Sequence, residues 1–186
     1  EVRRQIPLTM KLKGALLSMR KSSHILKRCS ASSQEVALVI FTSGTETLPK
    51  GVPLTHKNLL TNQRSALSCA DLFPHDILYG VLPPFHSFGF SVTGILPLLV
   101  GLKVCYSPDP TDSRGLARDI EHWKPTLFCC APNFIQALLR VAKPDQLQSL
   151  RLVVSGAEKA PNELFEAFAQ RGIQIREGYG ISECSP

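Results

Sequence analysis

The stretch Thr42-Ser43-Gly44-Thr45-Glu46-Thr47-Leu48-Pro49-Lys50-Gly51 has the composition of an anion-binding loop. Hydroxyls at Thr42, Ser43, Thr45 and Thr47 can donate to phosphate oxygens, and Gly44 and Gly51 permit tight turns and close backbone approach. Lys50 adds a positive charge, and successive backbone N–H groups in such a loop form a concavity for anions. The pattern is not Gly-x-x-x-x-Gly-Lys-Ser/Thr, because Lys50 follows a proline and precedes a glycine. On composition alone a polar surface turn accounts for it at least as well. Two more places hold chemically able side chains. His86 lies between Phe85 and Phe88, where a lone histidine is more often a satisfied core residue than a working one. Near the end come Ser155-Gly156-Ala157-Glu158-Lys159 and Glu177-Gly178-Tyr179-Gly180-Ile181-Ser182-Glu183-Cys184. Alone, the second of these reads as a turn with a surface carboxylate.

The elements that must position these residues follow from short apolar runs. Residues 36–41, 77–82, 102–106, 126–130, 152–154 and 173–176 read as strands, several with the unbroken apolar character of strands buried on both faces. Residues 55–69, with Thr55 as N-cap, and 114–123, 133–141 and 163–170 read as helices. Alternation of this kind predicts an α/β fold, a doubly wound, largely parallel sheet flanked by helices. In such sheets ligands sit beyond the carboxyl ends of strands. The loops 42–51 and 155–159 both follow strand candidates directly.

The 186 residues, 44% hydrophobic and 19% charged, can bury the core of one globular domain. The apolar stretch 85–100 is too short and too interrupted to span a bilayer, and the first residues lack a signal-peptide pattern. The chain therefore reads as soluble and cytoplasmic. None of the six cysteines forms a Cys-x-x-Cys pair, and buried free thiols are the reading of choice over a disulfide framework or a metal site. Residues 1–28 hold eight basic side chains against one acid, Glu1, so that segment carries +7 and the rest of the chain sums to −1. Leu12, Ala15, Leu16 and Met19 would share one helix face there. The segment can lie on an anionic membrane, at the inner face of the cell membrane in a parent protein, or meet an acidic partner; packing on the domain is the simpler reading. Nucleic-acid binding has no support beyond charge. The expected division is a basic segment with its linker at 1–35 and a domain at 36–186.

Taken together the motifs resemble those of the adenylate-forming superfamily, which includes acyl-CoA synthetases, luciferases and peptide-synthetase adenylation domains. Its Thr-Ser-Gly-Thr-Thr-Gly-x-Pro-Lys-Gly signature is matched at Thr42, Ser43, Gly44, Thr45, Pro49, Lys50 and Gly51, with departures at Glu46 and Thr47. Pro83-Pro84-Phe85-His86-Ser87-Phe88-Gly89 and the two later motifs are similar to the next blocks, in family order. An acid at position 46, together with the Gly-Ala-Glu-Lys and Glu-Gly-Tyr-Gly wording, is similar to the branch of acyl-carrier-protein synthetases joined to 2-acylglycerophosphoethanolamine acyltransferases.

The resemblance implies attack of a long-chain fatty-acid carboxylate on the α-phosphorus of ATP, then transfer of the acyl group to acyl carrier protein or coenzyme A. It implies ATP and Mg²⁺ as cofactors and a role for Lys50, His86 and Glu183 in catalysis. Lys50 would neutralise phosphate charge, His86 would line the channel between acid and nucleotide, and Glu183 would hold the magnesium. Thr42, Ser43, Gly44, Thr45, Lys50, Gly51, Ser155, Gly156, Ala157, Glu158, Glu177, Gly178, Tyr179, Gly180 and Ser182 would surround the nucleotide. Tyr179 would stack on the purine and Ser182 would contact the α-phosphate. It also implies that the chain is a fragment lacking a small C-terminal lid domain, with little turnover of its own. A nucleotide-binding module without catalysis is the alternative kept alive by Glu46 and Thr47; a membrane-docking protein run by residues 1–28 is a third.

Overall fold

A computed structural model of the protein describes residues 7, 9–10, 31–42 and 48–185. Ser43, Gly44, Thr45, Glu46 and Thr47, and residues 11–28 of the basic segment, for which packing on the domain is the simpler reading and membrane contact the other, lie outside the described residues. The chain divides into two units, Glu1–Glu35 and Val36–Pro186. In the first, the Ser32 N–H donates to Glu35 Oε1 at 3.1 Å, which closes a turn.

The second unit begins with β1 (Val36–Thr42) and β2 (Lys50–Thr55). They pair antiparallel as a separate two-stranded sheet, with Thr42 opposite Lys50 and Phe41 opposite Gly51. This differs from the expectation that the 36–41 strand joins a parallel sheet. The reason is length: the connection between β1 and β2 is far shorter than the dozen or so residues that a parallel crossover needs. Lys50 and Gly51, read as loop residues, open a strand instead. Helix α1 (His56–Cys69) follows, and Thr55 caps it reciprocally with Asn58, each accepting the other's backbone N–H.

The main sheet is parallel throughout. Its strands are β3 (Ile77–Gly80), β4 (Lys103–Tyr106), β5 (Leu127–Cys130), β6 (Leu152–Ser155) and β7 (Gln174–Glu177), in the order β4-β3-β5-β6-β7. The chain adds β4 on one side of β3, then returns to add β5 on the other. That reversal makes a crevice at the carboxyl ends of β3 and β5, the place where open α/β sheets hold ligands.

Alternation along the strands sorts their side chains onto two unlike faces. Tyr79, Phe128, Cys130 and Val153 join a buried core with Leu116 and Ile120, Ile135 and Leu138, and Leu164 and Phe168. These last pairs come from α4 (Ser113–Trp123), α5 (Pro132–Val141) and α6 (Asn162–Ala169). The other face carries Leu78, Leu127, Cys129 and Leu152, in a smaller cluster reached by Phe88 and Val92.

Those two residues belong to a helical run that the sequence reading left as an apolar stretch: α2 (Ser87–Gly89), a π-helical segment (Phe90–Ile95) and α3 (Leu96–Val100). Pro97 sits in the first turn of α3, where its missing N–H does least harm. The Thr93 carbonyl, one turn back, instead accepts the Tyr106 hydroxyl at 2.7 Å. The opposite end of the sheet is fastened by a buried acid. Asp76 is fully buried and pairs with Arg151 at 2.6 Å while accepting from Thr126 Oγ1 at 2.6 Å and the Phe73 N–H at 2.8 Å. Burial alone would raise its pKa; the hydrogen bonds from Arg151, Thr126 and Phe73 outweigh this and hold the carboxyl below its usual value.

Candidate functional site

The motifs converge at the carboxyl end of the parallel sheet. Pro83-Pro84 stops β3, and His86 caps α2, its Nδ1 accepting the Phe88 N–H at 3.3 Å. A neutral ring that accepts at Nδ1 carries its proton on Nε2, so His86, exposed at this end, offers one N–H donor outward. Gly89 has no alternative here, because a Cβ would overlap the Pro83 carbonyl oxygen.

The next two residues of α2 reach the later motifs. Ser87 and Ser182 place their Oγ atoms 2.8 Å apart, across 95 positions of sequence. The Phe88 ring covers Gly156, where a Cβ would come within 2.9 Å of the ring and 3.3 Å of the Gly178 carbonyl. Thr42, at the end of β1, donates its hydroxyl to Glu183 Oε1 at 3.2 Å. Lys50, exposed, pairs with Thr42 across the hairpin. The described ends of the anion loop, the His86 turn and the Ser182–Glu183 turn thus meet in one place.

Two loops form the neighbouring rim. The Gly156 N–H donates to the Cys130 carbonyl at 3.2 Å and the Gly178 N–H to the Ser155 carbonyl at 2.7 Å, so both loops extend the sheet's ladder by one rung. Glu177 turns back and accepts the Ala160 N–H at 2.7 Å, tying the loops together. Ala157 holds φ +73°, a left-handed conformation uncommon for a residue with a side chain and a frequent companion of binding sites. Glu158 and Gly180 are exposed, and Tyr179 is 90% exposed. Ser155 departs from expectation. It is fully buried and its hydroxyl has no partner among the described residues, so its link to this rim is the carbonyl that accepts the Gly178 N–H.

Below the rim a cavity of about 460 Å³ runs between α1 and the second face of the sheet. Leu78, Leu127, Cys129, Leu152 and Val154 form its floor, while His86, Gly156 and Tyr179 stand at its mouth. The floor is apolar because period-two alternation sends those five side chains to one side. Burial pushes the Cys129 thiol up to about 12, with the neighbouring Cys130 adding to the effect, so it is no nucleophile at neutral pH. Sequence reasoning missed Arg176, whose guanidinium donates to the Cys69 carbonyl and bridges β7 to the end of α1 along the cavity. Its only sequence signal is its place before Glu177.

Mg²⁺ takes few protein carboxylates and completes its shell with water and substrate phosphate oxygens. One exposed carboxylate, Glu183, beside the Thr42 hydroxyl fits that demand. No cluster of three or more metal-ligating side chains occurs among the described residues. None of the helices described is long and apolar enough to cross a membrane.

Known proteins are similar to this chain in sequence and in fold. A family model described as AMP-binding enzyme matches residues 6–186. The chain is 35% identical to the medium-chain fatty-acid–CoA ligase of Escherichia coli (strain K12) over 154 residues, which are 82% of this chain and 27% of that one. A crystal structure of a long-chain-fatty-acid-CoA ligase from Archaeoglobus fulgidus is similar with a TM-score of 0.71 and 26% identity, over 82% of this chain and 33% of that one. The o-succinylbenzoate coenzyme A synthetase of Bacillus subtilis, solved with ATP and magnesium ion, has the same fold at a TM-score of 0.74 and 24% identity, over 83% of this chain and 32% of that one. The chain spans about a third or less of the length of these relatives.

Proposed function

The chain belongs to the AMP-binding enzyme family, and from that membership we propose that it is the part of an AMP-forming acid–thiol ligase that binds ATP and activates a fatty acid. The observation that carries the reading is the convergence of distant motifs over one apolar cavity. Thr42 meets Glu183, Ser87 meets Ser182, and Phe88 seats on Gly156, all at the mouth of a space floored by aliphatic side chains. An alkyl chain in the cavity would leave its carboxylate at the rim, beside His86.

In this reading a carboxylate oxygen attacks the α-phosphorus of ATP. An oxygen–phosphorus bond forms, the bond to the β-phosphate bridge oxygen breaks, and pyrophosphate leaves with the electron pair. Holding the reactants in line and offsetting negative charge supply most of the acceleration in such a step. Lys50 offsets phosphate charge, and Ser182 donates to the α-phosphate. The Nε2–H of His86 holds the carboxylate, and Tyr179 stacks on the base. Glu183 and Thr42 are the residues that would hold Mg²⁺, which when bound offsets the triphosphate charge. The ligase bound to ATP and magnesium shares the fold, which supports both as the cofactors.

The acceptor thiol is that of coenzyme A on the strength of the fatty-acid–CoA ligase relatives. Acyl carrier protein is the second reading, favoured by Glu46 in the loop and by the acid-binding charge of residues 1–28. That basic segment would also serve a peripheral contact with anionic lipid. The test is acid-dependent ATP–pyrophosphate exchange by the full-length protein, with medium- and long-chain fatty acids against amino-acid and aromatic-acid controls. Exchange with fatty acids, falling about a hundredfold in Lys50→Ala, is the expected result. Absence of exchange with every acid would leave a non-catalytic nucleotide-binding module. Product analysis with coenzyme A and with carrier protein then separates the two acceptors.

A further inference from the structure

The pair Ser87–Ser182 has a property that neither hydroxyl has alone. Ser87 is 5% exposed and fixed within α2, whose Phe88 is seated on Gly156 and whose Gly89 is pressed against the Pro83 carbonyl. Ser182 lies half-buried in the short turn Ser182–Cys184 and approaches Ser87 at 2.8 Å. Two hydroxyls at this distance share one hydrogen, and either can give it. When Ser182 donates, Ser87 accepts, and the hydrogen of Ser87 finds no acceptor among the described residues. When Ser87 donates, its hydrogen is satisfied and the Ser182 hydrogen is free to point toward the rim of the site.

From this we infer that Ser87 is a positioning residue for the adenylation step, acting through Ser182. The inference rests on the proposed function, since Ser182 is there the donor to the α-phosphate. Arrival of the anion draws the Ser182 hydrogen outward, and the Ser87 hydrogen follows into the lone pair that Ser182 exposes. Donation into Ser182 Oγ polarises its O–H, because hydrogen bonds in a chain strengthen one another. The burial of Ser87 keeps water from replacing it. Ser87 never touches the nucleotide. It holds one rotamer of Ser182 and feeds a hydrogen bond into it as negative charge grows at the α-phosphate.

The test is a double-mutant cycle on the full-length protein with Ser87→Ala, Ser182→Ala and the two together, read by acid-dependent ATP–pyrophosphate exchange. Loss of one oriented hydrogen bond should lower kcat about threefold to tenfold in Ser87→Ala, with KM for ATP changed much less. In the Ser182→Ala background the same replacement should have no further effect, since nothing is left to orient. A packing role alone would lower the melting temperature and give equal losses in both backgrounds, and that result overturns the inference. So does an unchanged kcat in Ser87→Ala. Should the wild-type protein exchange no acid, the proposed function falls by itself, and the cycle is then read on AMP affinity by calorimetry. Coupling there upholds the hydroxyl pair as part of a binding site; additive effects, or no AMP binding, overturn it.

Discussion

Replacing Gly156 by alanine tests the contact that joins the His86 turn to the loops after β6 and β7. The new Cβ would lie 2.9 and 3.0 Å from two carbons of the Phe88 ring, where ordinary contacts begin near 3.4 Å. The Gly178 carbonyl oxygen, 3.3 Å away, is a second close neighbour and, as backbone, gives less readily than the ring. Relief must therefore come from the ring moving by about half an ångström, which disturbs its packing on the cavity floor. Over-packing of this kind costs about 1–3 kcal/mol. Loss of glycine freedom in the unfolded chain offsets about 0.4–1 kcal/mol of it. The net is a destabilisation of about 1–2 kcal/mol, equal to a fall in melting temperature of about 3–6 °C for a chain of this length. Thermal unfolding followed by circular dichroism measures it. The decisive variant is Gly156→Ala combined with Phe88→Leu. If the ring is what the glycine admits, the double variant should be more stable than the sum of the single losses by about 1 kcal/mol. Additivity within about 0.5 kcal/mol would refute the contact and, with it, the mechanical link between the two motifs.

Three further outcomes follow from the same geometry. The folded-state pKa of Asp76 lies below its unfolded value of about 3.9, so its contribution is complete above that value and is lost as pH falls through the folded pKa. Stability should be flat in this respect from pH 7 to 5 and decline below pH 4, and Asp76→Asn should lose about 2 kcal/mol at neutral pH and flatten the acid limb in urea titrations. Burial pushes Cys129 and Cys130 up to about 12, whereas Cys69 and Cys184 are exposed. Alkylation at pH 8 should therefore mark Cys69 and Cys184 in peptide mass spectra and leave Cys129 and Cys130 unmodified until denaturant is added. Val154 borders the cavity floor, so Val154→Phe should shift the preferred acid in the exchange assay toward shorter chains; an unchanged preference would place the acyl chain elsewhere.

Strands β3 to β6 were legible as short apolar runs, two of them followed by a proline breaker, Pro83-Pro84 after β3 and Pro108 after β4, whereas β7 holds a single apolar residue, Ile175. Two elements were not. β2 carries Gly51 and Pro53, which read as loop, and Pro53 is tolerated there because the small hairpin sheet has no third strand needing its N–H. The α2–α3 run contains Gly89, Gly94 and Pro97, each a breaker in isolation; the first is demanded by Pro83 and the last sits in a first turn. Of the site, the chemically able residues were legible by type and order. What joins them was not, since Phe88 on Gly156 and Ser87 on Ser182 are contacts between distant segments that no local pattern encodes. The burial of Ser155 was hidden for the same reason, because the face a strand residue takes depends on what packs against it.

Neighbouring positions along one strand meet different physical demands. In β6 Val153 is locked among three helices, while Leu152 and Val154, one step to either side, border open space. A change at the first position acts on the packing of the core, a change at the others on the shape of the cavity. Such a sheet can reshape its cavity through every second residue of β5 and β6 while its framework stays fixed. The alternation that built the fold therefore also partitions the sequence into a packing register and a cavity-shaping one, interleaved residue by residue.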